Sequence, residues 1–258
     1  MKTKPQLNCR TFFLALFLFF NASLTCHARE LVVWSAGAVK PALEVLFSDF
    51  QKSSGVTLQV QYSPVGVWMR RLAEGGQPDV LILSADVIND VESKGWVVPG
   101  SATPLGSVGV GVAVRQGTAL PDISSPDALR KAILNAKTIT YMDPQKGTSG
   151  KHFAGVLEQL GISEQVKSKT TLGDAGYVLE PVARGEIELG VQQITEILPV
   201  EGAVLVGPLP ESLQKITTYA MLQGSKASDG SAITKLRQFL TTSEAQSVFK
   251  KKGFMPAR

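Results

Sequence analysis

From Leu31 to about residue 90 the chain alternates short apolar runs with stretches of helical period, and this alternation limits the fold more than any single motif. Leu31 to Trp34 reads as a buried strand, and Pro41 to Ser53 as a helix with Leu43, Leu46, Phe47 and Phe50 on one face. Val56 to Tyr62 alternates as a strand does, a helix around Trp68 to Glu74 leads to the strand Val80 to Leu83, and a third helix follows Asp86. A parallel strand pair needs a long crossover, which a helix supplies, and the helices then cover the sheet faces. The expectation is an α/β fold of mostly parallel sheets flanked by helices.

The Gly-interrupted strand Val108 to Val114 opens a second series. Ser125-Pro126-Asp127 caps a helix, Thr138 to Tyr141 is a strand, and helices begin near Ser149 and Asp174. Leu189 to Gln192 and Val204 to Val206 read as short buried strands. Ile216 to Leu222 is a further strand, followed by helices from about Asp229 to Leu240 and from Ser243 to Lys252. The two series predict two lobes: residues 29–107 with 216–258 as the first, and 108–215 as the second.

Residues 1–28 are read as a cleaved secretory signal: Lys2, Lys4 and Arg10 precede the apolar run Phe12 to Phe20, and small residues follow. That run is too short to cross a bilayer, so the expectation is periplasmic export without stable membrane insertion. The segment holds both cysteines. Residues 29–258 carry 23 Lys and Arg against 22 Asp and Glu, a net charge of +1 that gives no reason to expect nucleic acid as a partner. With His152 the one histidine left, neither a second imidazole nor a His/Cys metal site is expected, and no nucleotide-binding glycine motif occurs.

In open α/β sheets, ligands sit in the loops beyond the carboxyl ends of strands. The fullest such loop is Asp143-Pro144-Gln145-Lys146-Gly147-Thr148-Ser149-Gly150, between a strand and a helix. Its glycines let backbone N–H groups and the Thr148 and Ser149 hydroxyls converge where the helix dipole favours an anion. A helix cap after a turn is the alternative reading. The other loops of this kind are 35–40, 63–67, 84–86, 173–177 and 192–195. Together they hold the Gly, Ser, Thr and Gln suited to a small polar ligand.

The stretches VVWSAGAVKPALEVLF, GGQPDVLILSAD and FLTTSEAQSVFKKKGFMP resemble the periplasmic molybdate-binding and related solute-binding proteins of ABC transporters, over essentially all of residues 29–258. The resemblance implies a two-lobed type II periplasmic binding fold with a ligand cleft between the lobes, and an ABC permease as a partner if the chain is a receptor. The molybdate receptors hold their oxyanion with hydroxyls in the first two loops and a tyrosine in the second lobe. The matching positions here are Ala38, Val65 and Gln193, so molybdate would be buried with too few donors.

SAGAVKP, GTSGKHF and the run from GYVLE to GVQQITEILP are also similar to aconitate isomerases. That likeness implies cofactor-independent interconversion of trans-aconitate and cis-aconitate by an allylic proton shift, with no metal. A tricarboxylate receptor is the alternative. Ser35, Gly37, Arg70, Lys146, Thr148, Ser149, Gly150 and Gln193 are the expected substrate contacts. His152 is the first candidate for the proton shuttle, since its ordinary pKa lies near neutrality, and Tyr177 would assist it. A surface or ligand-orienting histidine, solvated Arg71 and Lys146, and a core role for Trp34 and Trp68 are the competing readings. Glu180 is a conceivable alternative base.

Overall fold

The computed structural model describes residues 30–174 and 176–256; the segment read as a secretory signal lies outside the described residues. The chain opens with β1 (Glu30–Ala36), α1 (Lys40–Ser54), β2 (Thr57–Ser63), α2 (Val65–Ala73), β3 (Val80–Ser84) and α3 (Ile88–Ser93). The long strand β4 (Thr103–Arg115) follows, then α4 (Pro126–Asn135), β5 (Ile139–Met142), α5 (Thr148–Gln159), α6 (Ser163–Lys167) and β6 (Thr170–Gly173). The rest is α7 (Glu180–Ala183), β7 (Leu189–Gln193), α8 (Ile194–Ile197), β8 (Ala203–Pro208), β9 (Ile216–Gln223), α9 (Gly230–Leu240) and α10 (Ser243–Lys251).

The strands join in the order β2-β1-β3-β9-β4-β7-β5-β6, with β8 also on β4. Pairing is parallel between β1 and its neighbours β2 and β3, and between β5 and its neighbours β6 and β7. Between these parallel parts, β4 and β9 run antiparallel to their neighbours. Strand β4 belongs to both ends: Thr103–Gly109 pairs with β9, and Val110–Val114 pairs with β7. Thirteen residues at about 3.3 Å each let one strand cross from one half to the other.

The apolar side chains follow this division. One buried cluster joins residues of β1 to β4 with Tyr219, Met221 and the inner faces of α9 and α10, around Phe50, Trp68 and Phe249. Two others form around Phe153, Leu129 and Val112, and around Leu179, Val182 and Ile197. We call the first cluster with its strands and helices the first side, and the other two together the second side. Among the described residues no helix is long and apolar enough to cross a membrane.

One expected element is corrected. Instead of a helix near Asp174, β6 ends at Gly173 and the next helix, α7, starts at Glu180. The reason is local: a Cβ at Gly173 would lie 2.1 Å from the Val178 side chain, and Gly176 takes a φ of +70° that glycine alone adopts without strain. Pro181 then enters at the first turn, where its missing N–H costs nothing.

Candidate functional site

The carboxyl ends of β1, β2, β5 and β7 all open onto one cleft between the two sides, a cavity of about 120 Å³. That is the scale of cavities that admit one small organic molecule, on the order of 150 Å³ for benzene. From the first side come Ala36 to Ala38, Lys40, Tyr62 to Val65 and Tyr219; from the second come Met142, Gly147 to Ser149, Gly176, Tyr177 and Glu196.

Three helical N-termini point here, and none is capped by its own side chain. The cap positions are Ala36, before the 3₁₀ turn Gly37–Val39 that runs into α1, Pro64 before α2, and Gly147 before α5. None of these residues has a side-chain oxygen. By contrast α4, α9 and α10 are capped by Ser125, Asp229 and Thr242. First-turn N–H groups without a side-chain cap and the positive ends of three dipoles make a setting for negative charge, with the Gly66 N–H of α2 already taken by the Lys146 carbonyl. The Lys40 ammonium adds a full charge, lying 5.3 Å from the centre of the Tyr177 ring and 5.8 Å from that of Tyr62.

A carboxyl group, Glu196 on α8, lines the same cleft and is 7 % exposed. Burial raises its pKa from 4.5 to about 8, against a smaller lowering from a hydrogen bond with Gln192. Gly37 lets the backbone come this close: a Cβ there would stand 2.9 Å from Glu196 Oε1. Burial also raises Tyr177, to about 12, and raises Tyr62 and Tyr219 further, so the phenols keep their protons. The cleft thus combines donors for an anion with one carboxyl that exchanges a proton near neutral pH.

The sides touch around the cleft. The Gly66 N–H donates to the Lys146 carbonyl at 2.9 Å, an approach that a Cβ on Gly66 would block, since it would sit 2.7 Å from the Gln145 carbonyl oxygen. Lys215 pairs with Asp86 at 3.6 Å.

The expected site residues divide. Gly37, Thr148, Ser149 and Tyr177 line the cleft. The Ser149 hydroxyl has no hydrogen-bond partner among the described residues, while Thr148 Oγ1 lies 3.3 Å from the Tyr219 hydroxyl. Gln193 is buried behind them, its amide 3.3 Å from Thr148 Oγ1. Gly150 serves packing: a Cβ there would stand 1.9 Å from the Met142 carbonyl oxygen, so only glycine lets α5 lie against the end of β5.

Ser35 is buried, and its hydroxyl donates to the Ala36 carbonyl. Arg70 is exposed on α2. Arg71 donates to Gln61 and lies over the Trp34 and Trp68 rings, which stack on each other in the core at 4.8 Å. Lys146 pairs with Asp174 and Asp143. Glu180 is exposed beside Arg184. His152 stands one turn deeper in α5 than Thr148, and its Nε2 donates to the Leu213 carbonyl at 2.7 Å, outside the residues that line the cleft.

Glu196, Lys40, Tyr62 and Tyr219 were not singled out from the sequence. The available signal for Glu196 was its setting, a lone carboxylate among Ile194, Ile197 and Leu198.

A small anion cleft at strand ends, between two halves of a shared sheet, is how solute-binding proteins are built. Residues 31–255 match the bacterial extracellular solute-binding protein family, and the chain belongs to it. It has the fold of the periplasmic molybdate-binding protein of Azotobacter vinelandii, with a TM-score of 0.74 at 16 % identity over 88 % of this chain and 100 % of that one. The sulfate-binding protein SubI of Mycobacterium tuberculosis H37Rv gives a TM-score of 0.69 at 18 % identity, over 88 % of this chain and 87 % of the other. In sequence the chain is 29 % identical to an aconitate isomerase of a Pseudomonas species over 232 residues, 88 % of this chain and 87 % of that protein.

Proposed function

We propose that this protein is an exported aconitate isomerase that interconverts trans-aconitate and cis-aconitate in the cleft between its two sides, which act as the two lobes. The observation that carries the reading is Glu196: a carboxyl with a pKa near 8, buried inside a cleft otherwise furnished with donors for anions. A receptor gains nothing from proton exchange at the heart of its anion site, and above about pH 8, where Glu196 ionises, its charge would repel the ligand.

The chemistry is a balanced 1,3 shift. Ionised Glu196 takes a proton from the substrate CH2, breaking that C–H bond, and the electron pair spreads over the allylic carbons and the adjoining carboxylates. The double bond settles one carbon along, the far carbon takes the proton back from the Glu196 carboxyl, and Glu196 is regenerated. The uncapped N-termini, Lys40 and the Ser149 hydroxyl hold the substrate carboxylates and favour the charge that develops. Substrate charge raises the basicity of Glu196 further, while Lys40 and the dipoles act against complete loss of its ionised form.

The direct test adds trans-aconitate to the purified chain and follows cis-aconitate by proton NMR. Catalytic conversion is expected, and ligand-induced stabilisation without conversion would indicate a tricarboxylate receptor instead. That second reading has its own support in the family, whose structural neighbours include binding proteins. It would make an ABC permease the partner.

Two substitutions probe the surrounding residues. Ser149→Ala removes a hydroxyl that has no other partner among the described residues, so it should weaken aconitate binding about tenfold in calorimetric titration and leave the melting temperature nearly unchanged. His152→Ala removes the hydrogen bond to Leu213, so it should lower stability by about 1 kcal/mol and leave turnover within about threefold. A large loss of turnover in a folded His152→Ala chain would return the shuttle to the imidazole.

A further inference from the structure

We propose that Tyr219, set by Thr148 and Gln193, donates the hydrogen bond that receives the negative charge building on the substrate during the proton transfer. The assignment rests on the isomerase reading. Tyr219 comes from β9 in the first side, Thr148 from the start of α5 and Gln193 from the end of β7 in the second, and Tyr219 and Thr148 both line the cleft.

Counting hydrogens leads to the assignment. The Gln193 amide can only donate through Nε2, which lies 3.3 Å from Thr148 Oγ1, 3.4 Å from the Tyr219 hydroxyl and 3.5 Å from Thr217 Oγ1. Its two N–H groups face three hydroxyl oxygens, and the two nearest, of Thr148 and Tyr219, accept from it and keep their own hydrogens. They are 3.3 Å apart, so one hydrogen closes the bond between them and the other is left over. When Thr148 donates to Tyr219, the phenol oxygen accepts from two neighbours and its own O–H has no protein acceptor among the described residues. A phenol that accepts twice is also a stronger donor.

Burial makes this useful. Tyr219 is 1 % exposed, and desolvation holds it in the O–H form across the working pH range. A neutral donor fixed in a dry site does not attract the resting substrate as strongly as a cation would. Its bond strengthens as charge moves onto the substrate carboxylate, so it acts on the transition state more than on binding. Tyr177 differs, being half-exposed and placed against the Lys40 ammonium.

The experiment measures kcat and KM for aconitate with Tyr219→Phe, Thr148→Val and Thr148→Ser, each checked for folding by circular dichroism. Tyr219→Phe is expected to lower kcat about 100- to 1000-fold with KM within threefold. Thr148→Val, which removes the hydroxyl that supports the phenol, should lower kcat about tenfold, with Thr148→Ser close to the natural chain. If the natural chain converts aconitate and Tyr219→Phe keeps kcat within threefold, this assignment falls and the isomerase reading stands. No conversion by the folded natural chain overturns both. If Tyr219→Phe fails to fold, equal kcat values for Thr148→Val and Thr148→Ser overturn the assignment.

Discussion

Glu196→Gln is expected to lower the conversion of trans-aconitate by about 10²- to 10⁴-fold, the usual contribution of a positioned acid–base group, while the dissociation constant stays within about fivefold. Gln keeps the size and polarity of the side chain and removes only its proton exchange. Removing the carboxylate also removes a repulsion from the substrate carboxylates, so binding should, if anything, tighten above pH 8. Steady-state kinetics combined with calorimetric titration separates the two effects. A folded variant that converts aconitate at the natural rate would remove Glu196 from the mechanism, and one that loses binding in proportion would make it a ligand contact.

The same substitution should change how stability depends on pH, whether or not the chain is an enzyme. Glu196 has a folded pKa of about 8 against 4.5 when exposed, so between those values the folded chain keeps a proton that the unfolded chain has released. The stabilisation tied to that proton is fully present below about pH 4.5, declines as pH rises toward 8, and is gone above it. With each pKa unit equivalent to about 1.4 kcal/mol, the difference between 4.5 and 8 makes the loss on the order of 5 kcal/mol. Glu196→Gln carries no such proton, so the two melting temperatures should nearly coincide at pH 5. At pH 9 the variant should melt on the order of 10 °C higher. Parallel melting curves from pH 5 to pH 9 would mean that Glu196 is ionised in the folded chain throughout.

What the sequence displayed and what it concealed follows from the range of the forces involved. The first six elements are legible because each is set locally, by the spacing of apolar residues and by turn chemistry; α1 and β3 match their expected spans within a residue or two. The long β4 was only half visible, since its first residues, Thr103 to Ser107, are held by pairing with β9, more than a hundred residues away in the chain. The loop ahead of α5 stood out through two glycines and two hydroxyls, and Gly147, Thr148 and Ser149 do line the cleft. His152 stands outside the cleft lining because a helical residue four after Thr148 shares its face but sits a turn, about 5.4 Å, further from the helix end, where Leu213 supplies a carbonyl. Glu196 was concealed for the opposite reason: a glutamate in a short helix ordinarily faces water, and only the close approach of Gly37 and the surrounding second-side core takes water away from it.

Three helix starts without a capping oxygen were present in the sequence as Ala36, Pro64 and Gly147, yet nothing local says that they converge. Convergence comes from the sheet order, which sets the ends of β1 and β2 opposite that of β5. Of the polar side chains that face the cleft, the Ser149 hydroxyl has no hydrogen-bond partner among the described residues, while Thr148 and Lys40 are held within their own halves by Gln193 and Glu44.

The most direct measurement is kcat/KM for aconitate isomerisation by the natural chain from pH 5 to pH 10. The expected result is conversion whose kcat/KM rises about tenfold per pH unit and levels off near pH 8, as the free Glu196 carboxyl ionises. Absence of conversion at every pH, or a profile that breaks near 6.5 where an ordinary imidazole titrates, would contradict it.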